Sequence, residues 1–140
     1  MSRWRAANPR VSARGKRFVI LASQFNPSLT RSLVRGATEV LDRSGAFALN
    51  ILTEEMQPLS DLFANNKKSE EERFAAVRHA PGAVTGAPIL EGNMGWLECR
   101  VAHRYEGGDH TIFVGEVVNA GQAEGKPLVF YKGRYAGLQI

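Results

Sequence analysis

A glycine pair, Gly107-Gly108, sits between two long runs of strand-forming residues, and this limits the fold of the chain more than any other feature. Before the pair, residues 95–105 carry Leu97, Cys99 and Val101 in alternation; after it, residues 110–118 read His-Thr-Ile-Phe-Val-Gly-Glu-Val-Val. Two such runs joined by a short glycine turn predict an antiparallel hairpin. Fourteen glycines in 140 residues favour further tight turns, and the length predicts one domain. A 44% hydrophobic fraction is enough to build a core in a chain of this size without disulfides. Gly115, inside the second run, marks a bend, a bulge or a close backbone approach.

The rest of the chain is more mixed. Residues 18–23 (Phe-Val-Ile-Leu-Ala-Ser) form a short apolar run, expected as a strand buried on both faces. Asn26-Pro27 reads as a helix start, and Leu29, Leu33, Val34, Val40 and Leu41 follow at helical spacing until Gly45. Residues 46–52 predict a second buried strand, residues 59–64 a short helix, and residues 65–73 a polar surface helix or loop. Residues 79–88 read as irregular loop, 121–126 as a turn and 128–131 as a last strand. The order is β-α-β, then short helices, then antiparallel strands. The fold class is therefore α+β and mainly β.

Candidate chemistry is sparse. His110 is a group that titrates near neutrality, placed beside the carboxylate of Asp109 at the mouth of a strand. Asn50 is polar within an apolar strand and, if buried, needs hydrogen-bond partners, either backbone or a ligand edge. Phe63, Trp96, Phe130 and Tyr131 read as core or interface aromatics. Tyr131 and Arg134, with Lys132 and Gly133 between them, form a small basic turn able to meet a ring or a phosphate. The single cysteine, Cys99, allows no internal disulfide and reads as a buried thiol in a reducing compartment. His79, His103 and His110 lack metal-ligand spacing, so no metal is expected. The net charge of +4 owes much to residues 1–16, read as a basic, solvated, flexible tail rather than a nucleic-acid-binding arm. No run approaches the roughly 20 apolar residues of a membrane span, and a cytoplasmic location is expected.

Six segments, in order, carry a resemblance to a known family. They are SGAFALNIL (44–52), LSDLFA (59–64), GAPILEG (86–92), WLECRV (96–101), GGDHTIFVGEV (107–117) and PLVFYKGRY (127–135). Together they resemble the flavin reductase-like family of FMN-binding split β-barrels. The resemblance implies a homodimer that binds FMN (or FAD) near its interface. It also implies hydride transfer from NAD(P)H to the flavin, in many members for the benefit of a partner monooxygenase. It makes His110 and Asp109 the expected catalytic pair and Asn50, Phe63, Tyr131 and Arg134 the expected cofactor contacts.

The front of the chain departs from that pattern. Nothing before Gly45 supplies the N-terminal strands and the hydroxyl-rich loop of the family, and Ala37 stands where a phosphate-holding Ser or Thr is usual. The barrel is therefore expected to be incomplete or altered at its N-terminal end. Residues 17–46 resemble instead the start of lumazine synthase, with Phe25 and Asn26 at the substrate-stacking turn and Gln24 where arginine is common. Residues 17–140 are taken as one domain in which the two likenesses meet near Gly45. The expected function is that of an NAD(P)H-dependent flavin reductase. The alternatives are a 6,7-dimethyl-8-ribityllumazine synthase-like transferase and a non-catalytic flavin-binding protein.

Overall fold

The computed structural model describes residues 17–22, 41–65, 67–107 and 110–138. Its centre is one long antiparallel hairpin, β5 (Gly95–Gly107) and β6 (His110–Gln122). Strands β1 (Arg17–Ala22) and β2 (Ala46–Ile51) flank it in the order β1-β6-β5-β2. The flanking strands cover different halves of the ribbon. β2 pairs with residues 95–100 of β5, and β1 pairs with residues 111–116 of β6. Irregularities at Glu98/Cys99 and Val101/His103 fall where one half gives way to the other. Extra residues at such points bend a strand and increase its twist, which lets one long ribbon serve two parts of a barrel.

Two small antiparallel sheets complete the β structure. β3 (His79–Pro81) pairs with β4 (Pro88–Leu90), and β7 (Val129–Tyr131) pairs with β8 (Arg134–Ala136). Helix α1 (Gln57–Ala64) follows a 3-10 turn at Glu54–Met56, and helix α2 (Glu70–Ala75) starts at a capping box. In that box Ser69 Oγ accepts from Glu72 N, and Glu72 accepts from Ser69 N. The mainly β class with few helices agrees with the expected barrel.

The alternation along β5 separates two faces. Phe47, Cys99 and Val117 are register partners on one face, and Cys99, Val117 and the nearby Phe113 are buried. Burial raises the Cys99 thiol pKa, so it acts as a small core side chain. Gly115 belongs to the same layer. A Cβ there would lie 2.5 Å from Phe47 Cζ and 3.0 Å from Cys99 Cβ, so its missing side chain makes room for the Phe47 ring. On the other face stand Asn50, Trp96, Glu98 and Asn119, and the β3–β4 unit is bonded to Asn50 and Glu98.

Several expectations need correction. Residues 79–88 are not irregular throughout, because β3 and β4 flank the Gly82–Ala87 loop. Proline and glycine masked the two three-residue strands. β8, three residues long, is too short to show a pattern of its own. β1 and β2 are the outer strands of the four-stranded sheet, and Ile51 is 49% exposed, so an apolar run did not mean burial on both faces in β2. The helix expected after Asn26 lies outside the described residues except for a helical turn at 41–44, which Gly45 ends at φ +62°.

Candidate functional site

The most heavily bonded side chain of the described residues is Glu98, which the sequence reading passed over. Its carboxylate is fully buried. Oε1 accepts from Val84 N at 3.1 Å, Thr85 N at 2.8 Å and Thr85 Oγ1 at 2.8 Å, and Oε2 accepts from Asn119 Nδ2 at 2.7 Å. Burial pushes the carboxyl pKa up, but the bonds from Thr85, Asn119 and Val84 together outweigh it and hold Glu98 below the ordinary glutamate value. Gly82 stands directly against this carboxylate, where any side chain would collide with it. Glu98 therefore fastens the β3–β4 loop to β5. The alternation Leu97-Cys99-Val101 put Glu98 on the opposite face, which reads as solvent until the covering loop is seen.

Asn50 does the same for the strand after that loop. Its Nδ2 donates to Pro88 O at 3.1 Å, and its Oδ1 accepts from Leu90 N and Asn93 Nδ2, both at 2.8 Å. A carboxamide nitrogen has two hydrogens, so one of Asn50 is not used by these bonds. Asn93 is only 2% exposed, and its Oδ1 is buried with no hydrogen-bond partner.

Phe63 on α1 packs edge-on against Phe74 at 5.3 Å, and Phe74 meets His79 at the same distance. This cluster joins α1, α2 and β3. Tyr131 and Arg134 lie at the closing pair of the β7–β8 hairpin and are both exposed. Phe130 and Tyr131, read as core or interface aromatics, are 64% and 63% exposed in the single chain, so they are not core. Trp96 does pack, with its indole over Gly121, its partner across β5 and β6. The hairpin is docked by Tyr135, whose hydroxyl donates to Ser60 Oγ at 2.9 Å, and by Leu128 N to Leu52 O.

The backbone of His110 opens β6 opposite Gly107; Asp109 lies outside the described residues. Asn50 pairs with Trp96, which faces Gly121, eleven residues from His110 along β6. At about 3.3 Å per residue that is a path of roughly 35 Å. Asn50 and the β7–β8 hairpin, tied on through Leu52, therefore belong to one end of the ribbon and His110 to the other. No group of three or more potential metal ligands occurs among the described residues. A surface depression lined by Ser69, Glu70, Glu71 and Phe74 is acidic and gathers none of the expected residues. No helix of the described residues is long and apolar enough to cross a membrane.

Comparison with known proteins resolves the two likenesses. The flavin reductase like domain matches residues 25–139. An NADH-dependent FMN reductase from Streptomyces nodosus subsp. asukaensis is 40% identical over 107 residues, covering 72% of this chain and 56% of the relative. The reductase subunit of a flavin-dependent monooxygenase from Mycobacterium tuberculosis is 33% identical over 104 residues, with 72% and 54% covered. The flavin reductase component of a bacterial two-component tryptophan halogenase superposes with a TM-score of 0.74 at 26% identity, over 96% of this chain and 78% of that one. The chain spans about half the length of the curated relatives it matches. The lumazine synthase likeness of residues 17–46 finds no support. The family match already includes residues 25–46, and β1 runs antiparallel to β6 rather than parallel, as a βα repeat would require. Phe25 and Asn26, on which that likeness rested, lie outside the described residues. A mainly β chain built on one bent hairpin, with this match over most of its length, belongs to the flavin reductase-like family.

Proposed function

We propose that the chain acts as a flavin reductase, moving a hydride from NAD(P)H to FMN or FAD. The observation that carries this reading is the family match over residues 25–139, together with a relative named as an NADH-dependent FMN reductase. The residues present fit a flavin in part. Tyr131 and Arg134 are exposed, Asn50 has an amide hydrogen to spare, and the buried Asn93 Oδ1 beside it has no partner. A bound flavin supplies the hydride-accepting ring. The protein supplies position and charge. Arg134 and Tyr131 contact the flavin or its phosphates, Asn50 holds a polar edge, and Phe63 gives an apolar wall. His110, oriented by Asp109, donates a hydrogen bond that seats the nicotinamide.

These groups belong to opposite ends of one ribbon, which favours a homodimer in which the His110 end of one copy completes the site of the other. Ile51, Phe130 and Leu138 leave apolar surface for such a contact. Relatives include reductase components of a monooxygenase and a halogenase, and this supports a partner monooxygenase as the consumer of the reduced flavin. The lone cysteine and the use of NAD(P)H favour the cytoplasm. We read residues 17–140 as one folding unit behind a basic tail.

Titration with FMN, followed by quenching of flavin and tryptophan fluorescence, tests the reading, with NADH oxidation in the presence of FMN as the second measurement. Saturable binding and turnover are expected. His110→Ala is expected to lower turnover by about 10²-fold at unchanged Tm. Absence of binding at high micromolar flavin removes the proposal, and binding without turnover selects a non-catalytic flavin carrier.

A further inference from the structure

The β7–β8 hairpin leaves one aromatic and cationic face uncovered. Tyr131 and Arg134 are partners across the ribbon and so share a face. Phe130 and Tyr135 share the opposite face, the one anchored on Ser60. Lys132 Nζ lies 5.4 Å from the centre of the Tyr131 ring. Neither Lys132 nor Arg134 forms an ion pair with any described residue; the ion pair among those residues, Arg104 with Asp42, lies elsewhere, on β5 and the turn before Gly45. Glu54 stands at the other end of the hairpin, near Gly137.

The turn itself is unusual. Lys132 has φ +49° and Gly133 has φ +80°, the two left-handed positions of a tight hairpin turn. Asn, Asp and Gly take the first of these with least strain, so a lysine there is held against local preference. Strain of this kind concentrates where a side chain is used. A Cβ at Gly133 would meet no other part of the chain within 4 Å, so nothing beyond its own neighbours covers the turn.

We propose that the Tyr131–Arg134 turn recognises the adenosine diphosphate unit of a dinucleotide, with the base stacked on Tyr131 and the two phosphates held by Lys132 and Arg134 across Gly133. A planar guanidinium grips a phosphate through two parallel bonds, an ammonium acts as a point charge, and a tyrosine ring accepts any base. The inference rests on the reductase reading, which supplies two molecules carrying this unit, NAD(P)H and FAD.

Calorimetric titration of the full chain with ADP, at low and at physiological salt, tests it. The wild type is expected to bind, more weakly at higher salt. Lys132→Asn suits the left-handed position and removes the charge. It is expected to match or exceed the wild-type Tm while weakening ADP binding by about 10-fold, with a further loss of about 10-fold on adding Arg134→Gln. A merely structural lysine would move Tm and not ADP. A double variant that binds ADP as the wild type does, or a wild type that shows no heat with millimolar ADP, overturns the proposal. So does occupation of the turn by FMN with no competition from ADP. FMN binding and NADH oxidation with FMN report on the reductase reading separately, because FMN lacks the adenosine unit. Within a positive result, FAD affinity that falls to that of FMN in the double variant assigns the turn to the flavin. A KM for NADH that rises in the double variant by more than its affinity for FMN falls assigns it to the nicotinamide nucleotide.

Discussion

Glu98 is held ionised with no surface exposed to water, and four donors make that possible. Removing the carboxylate strands all four. Glu98→Ala is expected to cost about 3 kcal/mol or more, and Glu98→Gln less, since an amide oxygen still meets the Thr85 groups. The folded pKa lies below the unfolded one, so this contribution is fully present above the ordinary glutamate range and is lost as pH falls through the depressed value. Thermal melts followed by circular dichroism should show the wild type losing Tm below about pH 4 more steeply than Glu98→Gln. Parallel acid profiles would show that the carboxylate is not a stabilising anion. Gly115 offers a second check. Gly115→Ala drives a methyl into the Phe47 ring and is expected to cost about 1–3 kcal/mol, with Phe47→Leu in the same chain recovering part of the loss. A neutral Gly115→Ala would mean that the Phe47 ring is not held there.

Among the elements, the β7–β8 hairpin is the least secured. Three-residue strands cannot hold themselves, and this one depends on Tyr135, the Leu128–Leu52 bond and the Thr53–Pro127 bridge. Tyr135→Phe deletes the bond to Ser60 and keeps the ring contact with Phe130 at 5.0 Å. It is expected to lower global stability by only about 1 kcal/mol while speeding hydrogen exchange at Val129 and Tyr131 well beyond that of β5. Equal changes in both elements would show that the hairpin unfolds only with the barrel. The β3–β4 unit differs, because Asn50 and Glu98 fasten it from two strand positions on one face.

For the molecule as a whole, the β5–β6 ribbon puts Asn50 and His110 at opposite ends, so a site that uses both needs two copies. Mixing His110→Ala chains with Lys132→Asn/Arg134→Gln chains, assayed at nucleotide concentrations low enough that each variant alone is nearly silent, should regain activity if the site is shared between two copies, since one site of each mixed pair then carries neither change. Random pairing gives about a quarter of the wild-type rate. Sedimentation should show a dimer throughout. A mixture that stays inactive while exchanging subunits would place His110 and the Lys132–Arg134 turn in the same copy's site.

The hairpin about Gly107-Gly108, β2, α1 and the buried Cys99 were legible along the chain, because each depends on neighbours in sequence: alternation, a glycine turn, a helical stripe. The family resemblance was legible in six short segments for the same reason. β3, β4 and β8 were not, since three residues carry too little pattern, and their pairing partners are chosen by the sheets they join. The role of Glu98 was hidden for a deeper reason. Its four donors come from a loop 13 and 14 residues earlier and a strand 21 residues later, and a carboxylate at a solvent-side strand position becomes a buried anchor only when that loop folds over it. Local backbone preference is written residue by residue, whereas the face that a strand buries depends on what the rest of the chain lays against it.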